Sequence, residues 1–312
     1  MTAEHTQPVL EVRELQISFD MYGKGLRRES LRVIQSLSLD VRKGEIVAVV
    51  GSSGAGKSLL AHAVLGILPS NARTKGRILY KGEELTPALQ RRYRGTEIAL
   101  IPQSVDYLDP LMRVGKQAVS VRGGGEARRT ARAALARYGL APRVERMFPF
   151  QLSGGMARRV LIVSAVVATP ALIVADEPTP GLGTEAATET LRHFRQLADE
   201  GAAVLLVTHD IDLALHVADR IAVFYAGTTV EIAPVLDFKE GKDALRHPYS
   251  KAFLDALPQN AFRPIAGAQP YAGKLPQGCL FADRCAMRTE TCADAVPMRP
   301  LRGGEVRCVH AT

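Results

Sequence analysis

Cysteine is missing from nearly the whole chain. All four cysteines fall after residue 278, at Cys279, Cys285, Cys292 and Cys308, and the body before them has none. A secreted disulfide scaffold spreads its cysteines through the fold, so that class is excluded. A run long enough to cross a membrane is missing as well. The longest apolar stretch, Val160 to Ala175, is interrupted by Ser164, Thr169 and Pro170 and runs straight into Asp176 and Glu177. It falls short of the about 20 clean apolar residues that a membrane helix needs, and reads as a buried helix, a turn at Thr169–Pro170 and a buried strand. Met1 to Pro8 has no charged segment followed by an apolar one, so no signal peptide is expected. Internal repeats are absent. These absences predict a soluble chain that reaches a membrane only through partners.

What is present points to a globular protein. A length of 312 residues suits roughly two domains of ~150 residues. With 46% hydrophobic residues and a mean hydropathy of +0.01, the chain can bury a real core. The net charge of +8 and pI of about 9.5 suit an acidic partner such as headgroups, nucleotide or nucleic acid. The basic residues, however, lie in short clusters: Arg27–Arg28, Arg91 to Arg94, Arg128 to Arg132 and Arg158–Arg159. Such clusters read as solvated helix faces, and no nucleic-acid partner is expected.

Near-continuous apolar runs recur at Ile46 to Val50, Ile98 to Ile101, Leu172 to Ala175 and Val204 to Val207. They suit parallel strands buried on both faces. Helical patterns lie between them, at Lys57 to Leu68, Glu126 to Tyr138 and Ala186 to Glu200, so an α/β sheet is predicted. Ligands of such sheets bind beyond the carboxyl ends of the strands. The first run ends in Gly51-Ser52-Ser53-Gly54, the second in Pro102-Gln103, the third in Asp176-Glu177 and the fourth in Thr208-His209-Asp210. Four strand ends thus deliver glycines, an amide, carboxylates and a histidine to one edge. Residues 104–168 have an Arg/Ala-rich texture and read as a helical insert.

Gly51, Ser52, Ser53, Gly54, Ala55, Gly56, Lys57 and Ser58 fit GxxxxGK[ST] between a strand and a helix, the context of a phosphate-binding loop. Glycines let backbone N–H groups wrap phosphates, and a helix N-terminus favours negative charge. Lys57 is the candidate for the β- and γ-phosphates and Ser58 for Mg²⁺. Asp176 is placed to hold Mg²⁺ through water, and Glu177 to polarise the attacking water as general base. Leu152-Ser153-Gly154-Gly155-Met156 supplies a second anion-binding helix start, with Ser153 as its N-cap.

Together these elements resemble the ABC ATPase family from about residue 9 to 238. The resemblance implies a P-loop ABC ATPase fold, a mixed sheet with a helical insert. It also implies that two such domains sandwich each ATP between the phosphate-binding loop of one and the LSGG helix of the other. By that resemblance, Gln103 senses Mg²⁺ and communicates with membrane subunits, and His209 contacts the γ-phosphate. The adenine-stacking aromatic is Phe19, with Tyr22 as the alternate because Asp20 to Ser30 reads as an insertion; Phe19 also suits the core of a first strand. One position departs from the family pattern. Gly183 stands where the family carries an aspartate that bridges the dimer.

After about Glu240 the texture changes again. His247-Pro248-Tyr249 opens a short helix, and a Pro/Gly-rich loop region with the cysteines follows. Their C-x5-C-x6-C-x15-C spacing lacks the paired CxxC ligands of zinc ribbons. Four thiolates on irregular loops can hold a [4Fe–4S] cluster; zinc and free buried thiols are the alternatives. Residues 247–308 resemble the carboxy-terminal extension of the oligopeptide/dipeptide/nickel importer ATPases, some of which hold an iron–sulfur cluster at these cysteines. The expected organisation is an ATPase domain over residues 1–245, with its helical subdomain at about 104–168, and a cysteine-rich extension over 246–312. The resemblance implies an ATP hydrolase at the cytoplasmic face of the inner membrane, powering import of peptides, or of nickel and cobalt, free or chelated. Its partners would be two membrane-spanning permease subunits, a second, non-identical ATPase and an extracytoplasmic substrate-binding protein. The rival is a soluble ABC ATPase of translation or DNA repair; those carry two cassettes or a long coiled-coil insert, and neither is here.

Overall fold

The computed structural model describes residues 7–22, 28–52, 54–119, 125–180 and 182–312. Ser53 of the phosphate-binding loop lies outside the described residues. Among those described, a single 12-stranded sheet organises the molecule. Its amino-terminal strands are β1 (Leu10–Tyr22), β2 (Arg28–Val41), β3 (Ile46–Gly51), β4 (Ala72–Tyr80), β5 (Glu83–Glu84) and β6 (Ile98–Ile101). The others are β7 (Leu172–Asp176), β8 (Ala203–Val207), β9 (Arg220–Tyr225), β10 (Thr228–Pro234), β11 (Arg299–Leu301) and β12 (Gly304–Val306). The strand order is β5-β4-β1-β2-β10-β9-β3-β8-β7-β6, with β12 added on β10 and β11 on β12.

The half from β6 to β9 is parallel, and β1, β2, β4 and β5 form an antiparallel arm. Within the parallel half, side chains alternate between two cores. Ile46, Ala48, Val50, Ile173, Ala175, Val204 and Leu206 enter one; Val47, Val49, Leu172, Val174, Leu205 and Val207 enter the other. Both faces are covered, which is why these strands read as unbroken apolar runs. The arm's ladder continues from Phe19–Leu31 to Tyr22–Arg28, so Asp20–Tyr22 and Arg28–Ser30 are paired strand.

The helices are α1 (Lys57–Leu65), α2 (Pro87–Tyr93), α3 (Val114–Gln117), α4 (Gly125–Arg137) and α5 (Gly154–Val166), then α6 (Thr184–Asp199), α7 (Ile211–Val217), α8 (Val235–Glu240) and α9 (Pro248–Asp255). Helices α3, α4 and α5 lie between β6 and β7. Ser153 caps α5, its Oγ accepting from Met156 N at 3.3 Å. In α6, Ala187, Thr190, Leu191, Phe194 and Ala198 form the buried stripe. The carboxy-terminal residues pack on this same body. His247 caps α9, its Nδ1 accepting from Tyr249 N at 2.9 Å. Tyr249, Leu254 and Phe281 join the core that holds α5 and α7. A buried carboxylate, Glu231 on β10, accepts from the amides of Arg246 and His247, both at 2.8 Å, and locks the joint.

Candidate nucleotide site

The carboxyl ends of β3, β6, β7 and β8 meet at one edge of the sheet. Gly51, Ser52, Gly54, Gly56, Lys57, Ser58, Gln103, Glu177 and His209 line a single cleft of about 830 Å³ there. Glycine is required at two points. Gly51 has φ 151, and a Cβ there would lie 2.3 Å from the Phe224 carbonyl oxygen; Gly56 has φ 88, and a Cβ would lie 2.2 Å from Ile34 Cδ1. Gly56 is also the N-cap of α1 and offers no side chain to the helix's first N–H groups. Those donors face the loop, as phosphate binding requires.

Lys57 is buried, 5% exposed, and its Nζ donates to the carbonyls of Gly51 at 2.9 Å and Ser52 at 3.2 Å. Burial pulls its pKa down, while Glu177 and Asp176 oppose that shift. Ser58 Oγ donates to Asp176 Oδ1 at 3.1 Å across 118 residues of sequence. Burial raises the Asp176 pKa, and the Ser58 hydroxyl works against the rise. A hydroxyl beside one buried carboxylate is the hard-oxygen pair that Mg²⁺ takes from protein when phosphates supply other ligands. The residues therefore fit the ion.

Glu177 is the centre of the polar edge. Its backbone is left-handed, φ 44, and its N–H donates to Val207 O at 2.8 Å. Non-glycine residues in that region carry backbone strain that surrounding structure must hold, a pattern found at active sites. Glu177 Oε2 accepts from Gln103 Nε2 at 3.3 Å and lies 3.0 Å from His209 Nδ1. The glutamate, glutamine and histidine are thus one hydrogen-bonded group.

Other predicted residues stand apart. Ser153 and Gly154 are exposed, and a Cβ on Gly154 or Gly155 would meet nothing within 4 Å. They do not line the cleft. Phe19 packs, partly buried, on the core beneath the antiparallel arm, and the cleft's apolar walls are Val33, Leu59 and Phe253. Gly183 caps α6 with ordinary helix-entry angles, φ −65 and ψ 159, and no side-chain bond. Ala55 is buried under the loop. The four cysteines are all free thiols, and among the described residues no group of three His, Cys, Asp or Glu residues could hold a metal ion.

Two features escaped sequence reasoning. Arg158 does not lie on a solvated face: it is 4% exposed and donates to Pro102 O at 2.6 Å and to Gln103 O. Nothing in a pair of arginines on a helix reveals the carbonyls opposite one of them. Phe253, from α9, enters the cleft from the far end of the chain, which only tertiary packing arranges.

Comparison with known proteins agrees with this geometry. A family model described as ABC transporter matches residues 34–180, and one described as oligopeptide/dipeptide transporter, C-terminal region, matches residues 230–292. The dipeptide transport ATP-binding protein DppD of Bacillus subtilis is 34% identical over 316 residues, 95% of this chain and 92% of that protein. This chain belongs to the oligopeptide/dipeptide transporter family of ABC ATPases. As an ABC ATPase it hydrolyses ATP in coupling to transport. The probable D,D-dipeptide transport ATP-binding protein DdpD of Escherichia coli is 33% identical, over 97% of this chain and 96% of that protein. The oligopeptide transport ATP-binding protein OppD of Mycobacterium tuberculosis is 36% identical over 93% of this chain, which spans 49% of that longer protein. Among solved structures, the dimeric post-hydrolysis ATP-binding cassette MJ0796 bound to ADP and Pi superposes with a TM-score of 0.63 at 26% identity. It covers 72% of this chain and 98% of its own. Like other ABC ATPases, the chain has the P-loop fold with a mixed sheet, and among the described residues no helix is long and apolar enough to cross a membrane.

Proposed function

We propose that this ABC ATPase powers peptide import through a multi-subunit transporter, working at the cytoplasmic face of the inner membrane. The observation that carries the reading is the convergence of Lys57, Ser58, Glu177, Gln103 and His209 on one cleft, with Asp176 bonded to Ser58. The relatives' printed names, dipeptide and oligopeptide transport, favour peptides over nickel or cobalt as cargo. Lys57 exchanges the Gly51 and Ser52 carbonyls for the β- and γ-phosphates. Mg²⁺, when bound, would be held by Ser58 and Asp176 with Gln103, and would supply charge neutralisation at the transferring phosphoryl group. Glu177 takes the proton of the attacking water, and His209 holds the γ-phosphate in the transition state. Catalysis is then positioning and charge stabilisation around the phosphoryl group.

The exposed helix start at Ser153 and Gly154 supports a site completed by a second, non-identical ATPase, each chain lending its helix to the other's ATP. Tyr107, Leu111 and Met112, exposed just beyond Gln103, suit the docking of two membrane-spanning permeases. An extracytoplasmic binding protein would deliver cargo. Phe19 remains the proposal for adenine stacking; unchanged ATP affinity in Phe19→Ala would move that role to Phe253. The decisive experiment is ATPase activity of the assembled complex with cargo added. Stimulation by short peptides is expected. Stimulation by a nickel chelate alone would reassign the cargo.

The cysteines carry a finer proposal, an iron–sulfur cluster on Cys279, Cys285, Cys292 and Cys308. Burial raises the Cys279 thiol pKa, and the other three cysteines add to the rise. Cys279 N donates to Cys292 O at 2.8 Å, tying two of the loops. The four cysteines are free of disulfides, which leaves their thiols available to iron. Anaerobically purified protein should absorb at about 400 nm, as cluster proteins do. A colourless, iron-free preparation removes the cluster.

A further inference from the structure

One contact of the phosphate-binding loop serves no step of hydrolysis. Ser52 Oγ donates to Gln269 Oε1 at 2.5 Å, across 217 residues of sequence. The same amide oxygen accepts from Ala226 N, in the β9–β10 turn, at 3.4 Å. The segment carrying Gln269 is itself held. Arg284 donates through Nε to Ala266 O at 2.7 Å, through Nη2 to Ile265 O at 2.9 Å, and through Nη1 to Tyr225 Oη at 3.2 Å. Gly51, next to Ser52, pairs with Phe224 at the end of β9. The first part of the phosphate-binding loop is therefore gripped between the end of β9 and the carboxy-terminal extension.

We propose that Gln269 is a positioning residue for ATP: by fixing Ser52, the extension holds the phosphate-binding loop in its binding shape before nucleotide arrives. The inference rests on the nucleotide-site reading above. Gly51, Gly54 and Gly56 leave this loop's backbone freer than any other three residues could. Each residue ordered in advance is ordering that ATP does not have to supply. Gln269 touches the loop's side chain and not the reacting atoms, so its removal weakens binding without slowing the bound complex.

Full-length Gln269→Ala should bind ATP about 5-fold more weakly, the scale of one hydrogen bond. Its KM for ATP should rise while kcat stays at the wild-type value, a split that general destabilisation does not produce. Ser52→Ala should weaken binding likewise, and the double variant should be no weaker than the weaker single one, because both delete one bond. Wild-type ATP affinity in Gln269→Ala overturns the proposal, and so do additive losses in the double variant. Should Gln269→Ala fail to fold, Ser52→Ala carries the test from the loop side, and wild-type affinity there also overturns it. A wild-type chain that binds no ATP defeats the nucleotide-site reading itself; one that binds ATP, with both variants unaffected, defeats only the role of Gln269.

Discussion

Arg158 donates to the carbonyl oxygen of Pro102 at 2.6 Å, tying the helix that begins at Ser153 to the strand end that carries Gln103. A second bond to Gln103 O doubles the tie. The helix start expected to face a partner's ATP and the glutamine beside Glu177 are therefore directly linked. Burial lowers the Arg158 pKa, yet an arginine stays charged, and its planar fork suits two neighbouring carbonyls.

Arg158→Lys keeps the charge but cannot span both oxygens. It should cost about 1–3 kcal/mol, the range for leaving a buried group unpaired, read as a lower urea midpoint. ATPase activity in the assembled complex should fall more than ATP affinity does. Wild-type stability in this variant would show that the two carbonyls find other partners.

Glu177→Gln should retain ATP binding and lose turnover by at least about 100-fold, the lower range for deleting a general base. The amide keeps the size of the carboxylate and can still meet Gln103 or His209, so the cleft's shape survives. Single-turnover hydrolysis and equilibrium ATP binding measured on one preparation separate the two effects. Hydrolysis at the normal rate would remove Glu177 from the role of base.

Much of this site was legible because its signals are local. The stretch from Gly51 to Ser58 holds its spacing within one strand–turn–helix unit, and β3, β6, β7 and β8 betray their two-sided burial by having no polar residue before Asp176 at the end of β7. The antiparallel arm was harder. Met21 and Tyr22 at its tip are 41% and 69% exposed, so burial imposes no alternation there and the strand reads as an insertion. Arg158 and Gln269 were not legible. Their partners are backbone and side-chain oxygens brought close by packing, and no periodicity encodes which oxygen an arginine or glutamine will meet.

His247 gives the fold an acid limit. It is 1% exposed, and burial pulls its pKa from 6.5 down to about 3, with only the Arg307 backbone opposing. The ring stays neutral in the fold but takes a proton in the unfolded chain once the pH drops below 6.5. The unfolded chain thus binds more protons in that window, so stability is full above it and falls as the pH falls toward about 3. His247→Asn keeps an acceptor for the Tyr249 amide and removes the titration. Its melting temperature should be lower at neutral pH but should drop less between about pH 7 and about pH 5.5 than that of the wild type. An equal drop in both would place the acid sensitivity elsewhere.

Gly183 is a glycine that the backbone does not need. Its φ of −65 is open to any residue, its Cβ position is empty to 4 Å, and α6 starts there without a side-chain cap. Aspartate at an N-cap accepts from the first turn's amides and meets the positive end of the helix, whereas glycine does neither. Gly183→Asp should therefore stabilise the chain by about 0.5 kcal/mol, a rise of one to a few degrees in melting temperature. The same substitution restores the carboxylate that relatives are expected to extend across the dimer. In a Glu177→Gln background, where ATP is not consumed, it should strengthen ATP-dependent association with the second ATPase. A higher melting temperature with unchanged association would confine position 183 to helix capping; a lower melting temperature would mean that the space beside it is filled by a partner contact or by the neighbouring Glu185.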